Sequence, residues 1–113
     1  MLENQKICRI IEEFSLYLLE TDLSVLDIKI RKTERKTIIS FICNALDDIY
    51  LDELEHIFQH KRREEFEVYG WELIGQGDAE GHELMLVNNL IDFHSCYSQD
   101  EKIYFNLVRY EKD

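Results

Sequence analysis

His56 and His60 stand four residues apart in the segment HIFQH, a spacing that places two imidazoles on one face of a helix. Extended one turn in either direction, that face adds Glu53 and Glu64, so nitrogen and carboxylate-oxygen donors of the kind that hold zinc share a stripe. A metal-binding protein or metal-dependent enzyme built on His56 and His60 is therefore the reading from the chemical side. Two features count against it. In zinc-peptidase helices a glutamate follows the first histidine as general base, and here that position is Ile57. The stripe also falls away from the apolar side formed by Leu51, Leu54 and Phe58, which turns it toward water. Weak Glu53–His56 and His60–Glu64 pairs, with Lys61, Arg62 and Arg63 near the negative end of the helix dipole, account for the same residues without a metal. A solvated helix end is the stronger reading, and no metal site or cofactor is assigned.

The other reactive residue types assemble no better. Cys8, Cys43 and Cys96 are far apart and form no CxxC pair, so neither a zinc ribbon nor a dithiol redox centre is written here. His94 and Cys96 lie close together but in no nucleophile motif, and a cysteine needs a lowered pKa to react. The glycines of GQGDAEG lack the lysine and hydroxyl residue of a phosphate-binding loop, and two acids there would repel a phosphate. No catalytic residue and no small-molecule ligand is identifiable, so an enzyme is the less favoured class.

The totals narrow the remaining classes. The chain has 113 residues, 45% hydrophobic and 12% aromatic, with no proline and four glycines. That predicts one domain over 1–113, with its own core and regular elements joined by short turns. Its 24 acidic and 13 basic residues give a net charge of −11. Nucleic acid and anionic membrane surfaces are excluded as partners, because both demand concentrated positive charge. An acidic mimic of nucleic acid is disfavoured too, since Lys29, Arg31, Lys32, Arg35 and Lys36 interrupt the negative field. No apolar run of about 20 residues is present, the acidic N-terminal segment does not suit a signal peptide, and the cysteine usage fits a reducing compartment. A cytoplasmic protein is expected.

Hydrophobic periodicity places the elements. Residues 3–20 carry Ile7, Ile10, Ile11, Phe14 and Leu18 at helical spacing, with Leu16 alone on the opposite side. A hairpin follows, turning between Glu34 and Arg35. Its most apolar register pairs Ile30 with Ile39, Ile28 with Phe41 and Leu26 with Cys43. The second strand is apolar on both faces, which predicts a central position. Residues 48–61 form a second helix on Leu51, Leu54 and Phe58, and EEFEVYGWELIG, residues 64–75, a third. Residues 84–91, LMLVNNLI, suit strand or helix equally. The closing hairpin, with a three-residue turn at Gln99–Glu101, pairs Tyr97 with Ile103, Ser95 with Phe105 and Phe93 with Leu107.

The sum is an α+β two-layer sandwich in the order α-ββ-α-α-ββ: an antiparallel sheet of about four strands from two hairpins, with helices on one face. If both hairpins join in one sheet, its outer face combines Lys29, Arg31, Ile38 and Ile42 with Cys96, Tyr104 and Val108. A face neither wholly polar nor wholly apolar has two explanations. One is cover by the chain's own 76–91 segment or a minor helix. The other is contact with a protein partner, either a second copy in a homodimer or another protein that this one adapts or regulates. Association through that face is the leading functional expectation.

Overall fold

The computed structural model describes residues 2–44, 48–58 and 82–111. The expected α+β architecture is present. Helix α1 (Glu3–Leu19) precedes strands β1 (Leu26–Lys32) and β2 (Lys36–Asn44). Helix α2 (Asp48–Ile57), helix α3 (His82–Leu90) and strands β3 (Phe93–Gln99) and β4 (Lys102–Tyr110) follow. The segment 64–75, expected as a helix, lies outside the described residues. Of residues 84–91, 84–90 are helix: Leu84, Val87 and Leu90, with Ile91 just past the end, return to one side at steps of three and four, and all are buried.

The two hairpins join through β2 and β4 into one antiparallel sheet of order β1-β2-β4-β3. The first hairpin has the expected register, Leu26 to Cys43, Ile28 to Phe41 and Ile30 to Ile39. The Thr33 N–H donates to the Lys36 carbonyl at 2.9 Å and closes its turn. Asn44 ties the entry of β1 by accepting from the Ser24 and Val25 N–H groups at 3.0 and 3.2 Å.

The second hairpin differs by one residue from the expected register. Phe93 faces Val108, Cys96 faces Phe105 and Tyr97 faces Tyr104, around a two-residue turn at Asp100 and Glu101. Both turn residues take positive φ, 53° and 66°, as a primed hairpin turn requires. Glutamate is ill suited to that conformation, and glycine is not. Glu101→Gly is accordingly expected to raise stability by about 1 kcal/mol, read as a higher urea midpoint at constant slope.

The three described helices lie on one face of the sheet. Ile7, Ile10, Phe14 and Leu18 of α1 meet Ile39, Phe41 and Cys43 of β2 and Ile103, Phe105 and Leu107 of β4. Phe14 sits at the centre, its ring 4.5 Å from Phe41, 5.5 Å from Phe105 and 5.9 Å from Phe58 between centroids. Leu16 is exposed, as its position off the stripe implies, whereas Glu13 is buried rather than solvated, with Arg9 3.9 Å away. At the other end of the core Arg109 is buried and donates to both carboxylate oxygens of Glu3 and, at 2.6 Å, to the Leu90 carbonyl at the end of α3. This guanidinium ties the first turn of α1, the last turn of α3 and the last strand together. Among the described residues no helix is long and apolar enough to cross a membrane.

Candidate functional site

Strand alternation divides the sheet into a face under the helices and a face away from them. Ile39, Phe41, Cys43, Ile103, Phe105 and Leu107 point inward. Their neighbours Ile38, Ser40, Ile42, Tyr104, Asn106 and Val108 point outward and are half-buried by one another. Of the 76–91 segment, one candidate cover for the outer face, His82–Leu90 form α3 on the inner side, and residues 76–81 lie outside the described residues.

The pairings arrange the outer face in rows. Arg31, Ile38, Val108 and Phe93 make one, and Asp27, Ile42, Tyr104 and Tyr97 another. Between them runs a polar row in which the Ser40 hydroxyl donates to Asn106 Oδ1 at 2.6 Å and Asn106 Nδ2 donates to Ser95 Oγ at 3.2 Å. Lys29 ends that row on β1. Tyr97 stacks on Tyr104, centroids 4.8 Å apart and planes within 6°, and Phe93 meets Tyr110 edge-on at 5.8 Å. Phe93 is 58% exposed and Tyr97 47%.

Six of the seven expected contact residues, Lys29, Arg31, Ile38, Ile42, Tyr104 and Val108, share this face. Cys96 does not. Its partner Phe105 points into the core, so Cys96 belongs to the helix side, with His94. The one-residue shift that removes Cys96 supplies Phe93 and Tyr97, which the most apolar register places inward. The physical reason is that β3 is an edge strand exposed along its whole length. Burial therefore does not choose its register. The Tyr97–Tyr104 stack and the Ser95–Asn106 hydrogen bond, both cross-strand contacts, hold the observed one. A two-residue reading of the turn would have found them, but Asp-Glu lacks the Asn-Gly signature that advertises such a turn.

Charge on the outer face runs against the rest of the molecule. Lys29, Arg31, Lys36 and Lys102 occupy outward positions and Asp27 is the only outward acid on the described strands. The whole chain carries −11. Exposed acids lie on the helical layer, among them Glu12, Glu20, Asp48, Asp52 and Glu55, and at the ends of the sheet, where Glu34, Asp100, Glu101 and Glu111 stand. The strand positions of the surface thus give an apolar and aromatic centre with a mainly basic border, with acids at the two hairpin turns.

The residues with reactive side chains form no comparable arrangement. Glu53 accepts a hydrogen bond from the Tyr17 hydroxyl at 3.2 Å, which joins α1 to α2, and burial together with that carboxylate raises the Tyr17 pKa. His56 is exposed, and His60 and Glu64 lie outside the described residues. Among the described residues no group of three or more His, Cys, Asp or Glu side chains could hold a metal ion. Burial, with Cys96 as a lesser contribution, pushes the Cys43 thiol up to about 11. Desolvation first and Glu55 second also raise Cys96. Both are therefore protonated at neutral pH, the opposite of what a nucleophilic cysteine needs. No protein-family model, curated protein or solved structure matches the chain.

Proposed function

We propose that this is a cytoplasmic association module that binds another protein through the outer face of its sheet. The supporting observation is the four-stranded face left uncovered by the described helices, with Phe93 and Tyr97 exposed beside Tyr104, Ile38, Ile42 and Val108 and with cations at its border. Aromatic and aliphatic anchors ringed by charge are the composition of a contact surface, and the anchors contribute most of the affinity. The basic border selects a partner with an acidic rim around an apolar patch, because complementary charge speeds encounter and rejects wrong partners. Strand spacing gives a face of about 19 by 24 Å, on the order of 450 Å², which suits a regulator or adaptor contact that forms and dissolves.

The test compares proteins captured from the source cell by the unaltered chain, by a Lys29→Glu/Arg31→Glu variant and by an Ile38→Thr variant. All three should fold alike by circular dichroism, since Lys29 and Arg31 are exposed and Ile38 is half-buried. A partner bound by the unaltered protein is expected to lose at least about tenfold in affinity with each variant, corresponding to about 1.4 kcal/mol. Leu16→Ala, on the far side of the molecule, serves as the control and is expected to change nothing. Capture that is equal for all four proteins would remove the reading.

A further inference from the structure

The two edges of the sheet are built differently. β1 carries Lys29, Arg31 and Lys32, the charged guard that natural edge strands use against pairing with other chains. β3, FHSCYSQ, contains no proline and no Lys, Arg, Asp or Glu over seven residues, and every one of them is exposed. Its backbone phase follows from the ladders. Gln99 and Lys102 flank a two-residue turn, so they form a hydrogen-bonded pair, and Tyr97–Tyr104, Ser95–Asn106 and Phe93–Val108 are hydrogen-bonded pairs in turn. The Thr33–Lys36 bond of the first hairpin sets the same phase when it is carried across β2 and β4. The backbone N–H and C=O groups of His94, Cys96 and Ser98 therefore point out of the sheet. An unguarded row of donors and acceptors is a template for another strand.

We infer that a second copy of this chain pairs at β3, antiparallel, with a two-fold axis beside Cys96, so that the two sheets continue as one of eight strands. Residue 96 is the midpoint of β3. With Cys96 opposite its copy, His94 meets Ser98 of the other protomer on both sides of the axis, and all three outward-pointing residues find partners. Three such pairs make about six backbone hydrogen bonds. A neutral strand can lie against itself without like-charge contact. On the outer face each Tyr97 comes diagonal to its copy, within reach of an aromatic ring, so the Tyr97–Tyr104 stack of one protomer continues into that of the other. This pairing uses the edge rather than the face of the sheet, and it leaves the proposed contact surface open and doubled. Edge pairing buries little area, and the two protomers each carry −11, so the dimer is weak and is strengthened by salt.

Sedimentation velocity over about 1 to 500 μM, at low and at 0.5 M sodium chloride, reads the association, expected in the range of tens of micromolar and tighter at the higher salt. Cys96→Pro removes one outward N–H without touching the β4 ladder, and proline is tolerated on an edge. Cys96→Lys places two ammonium groups face to face. Each is expected to weaken the dimer at least tenfold while circular dichroism and the thermal midpoint show a folded chain. The register is read separately with Cys8→Ser protein and an added copper–phenanthroline oxidant, which should yield a disulfide-linked dimer that Cys96→Ser abolishes. A monomer at every concentration and salt overturns the inference. So does a dimer indifferent to both Cys96 variants. If such a dimer is instead broken by Lys29→Glu/Arg31→Glu, the second copy sits on the outer face, which sinks edge pairing and supports the face reading; the two ideas thus fail separately.

Discussion

Phe14→Ala is expected to lower the free energy of unfolding by about 4 kcal/mol, the largest effect of any single substitution in this core. Phe14 is fully buried and its ring meets Phe41 and Phe105 on the sheet and Phe58 beyond α2. Truncation forfeits the transfer free energy of the ring and three aromatic contacts at once. It also leaves a cavity between the layers that a β-sheet, held by its ladders, is slow to close. A domain of this size has about 5–15 kcal/mol in all, so the variant should remain folded but near its limit. Urea unfolding gives the number, and Phe14→Leu, expected to cost about 1–2 kcal/mol, provides a measurable companion if the alanine variant does not fold. A loss below about 1.5 kcal/mol for Phe14→Ala would mean that the layers collapse onto the gap, contrary to the packing described above.

Glu3→Ala is expected to cost about 3 kcal/mol, more than Arg109→Met at about 1–2 kcal/mol. The asymmetry follows from burial. Arg109 is 2% exposed, whereas the Glu3 side chain is 27% exposed. Removing Glu3 takes the carboxylate away from a buried guanidinium, whereas removing Arg109 frees a carboxylate that can turn toward water. The double variant Glu3→Leu/Arg109→Met is expected to lie close to the unaltered protein, since apolar groups of similar shape often replace a buried pair at little cost. Equal losses for the two single variants, or strict additivity in the double, would show that the pair is not coupled. Because Glu3 opens α1 and Arg109 closes β4, the Glu3→Ala variant should also exchange its terminal amides faster than the core of β2.

The outer face and the edge of β3 are the two separate contact places we propose for this small acidic chain. The first is specified by side chains, with an apolar centre and a basic border. The second is specified by backbone, through a strand that lacks the usual guards. A face used for a regulated partner and an edge used for self-pairing are compatible, because the inferred two-fold axis runs through the sheet plane and leaves both outer surfaces on the same side.

Much of this was legible in the sequence, wherever one face of an element is buried and the other is not. The α1 stripe, the Leu51–Leu54–Phe58 side of α2 and the register of the first hairpin all follow from where apolar residues recur. Burial penalises every alternative to them by whole side chains. The central position of β2 was legible too, since apolar side chains on both faces are best shielded in a strand flanked by neighbours on either side. What the sequence could not settle are the elements for which burial is indifferent. Residues 84–91 are apolar nearly throughout, so no period distinguishes helix from strand; packing in the shared core beside α1 decides, and 84–90 are part of α3. β3 is exposed on both faces, so its register rests on a tyrosine stack and one amide–hydroxyl bond. A slip of a single residue there exchanged Cys96 for Tyr97 on the candidate surface. Arg109 reads as one more polar residue near the chain's end, and only the meeting of three distant segments makes it the buried tie among them. Local pattern determines which side of an element is wet when water is the arbiter; where two sides are equally wet or equally dry, the neighbours decide, and those exist only in three dimensions.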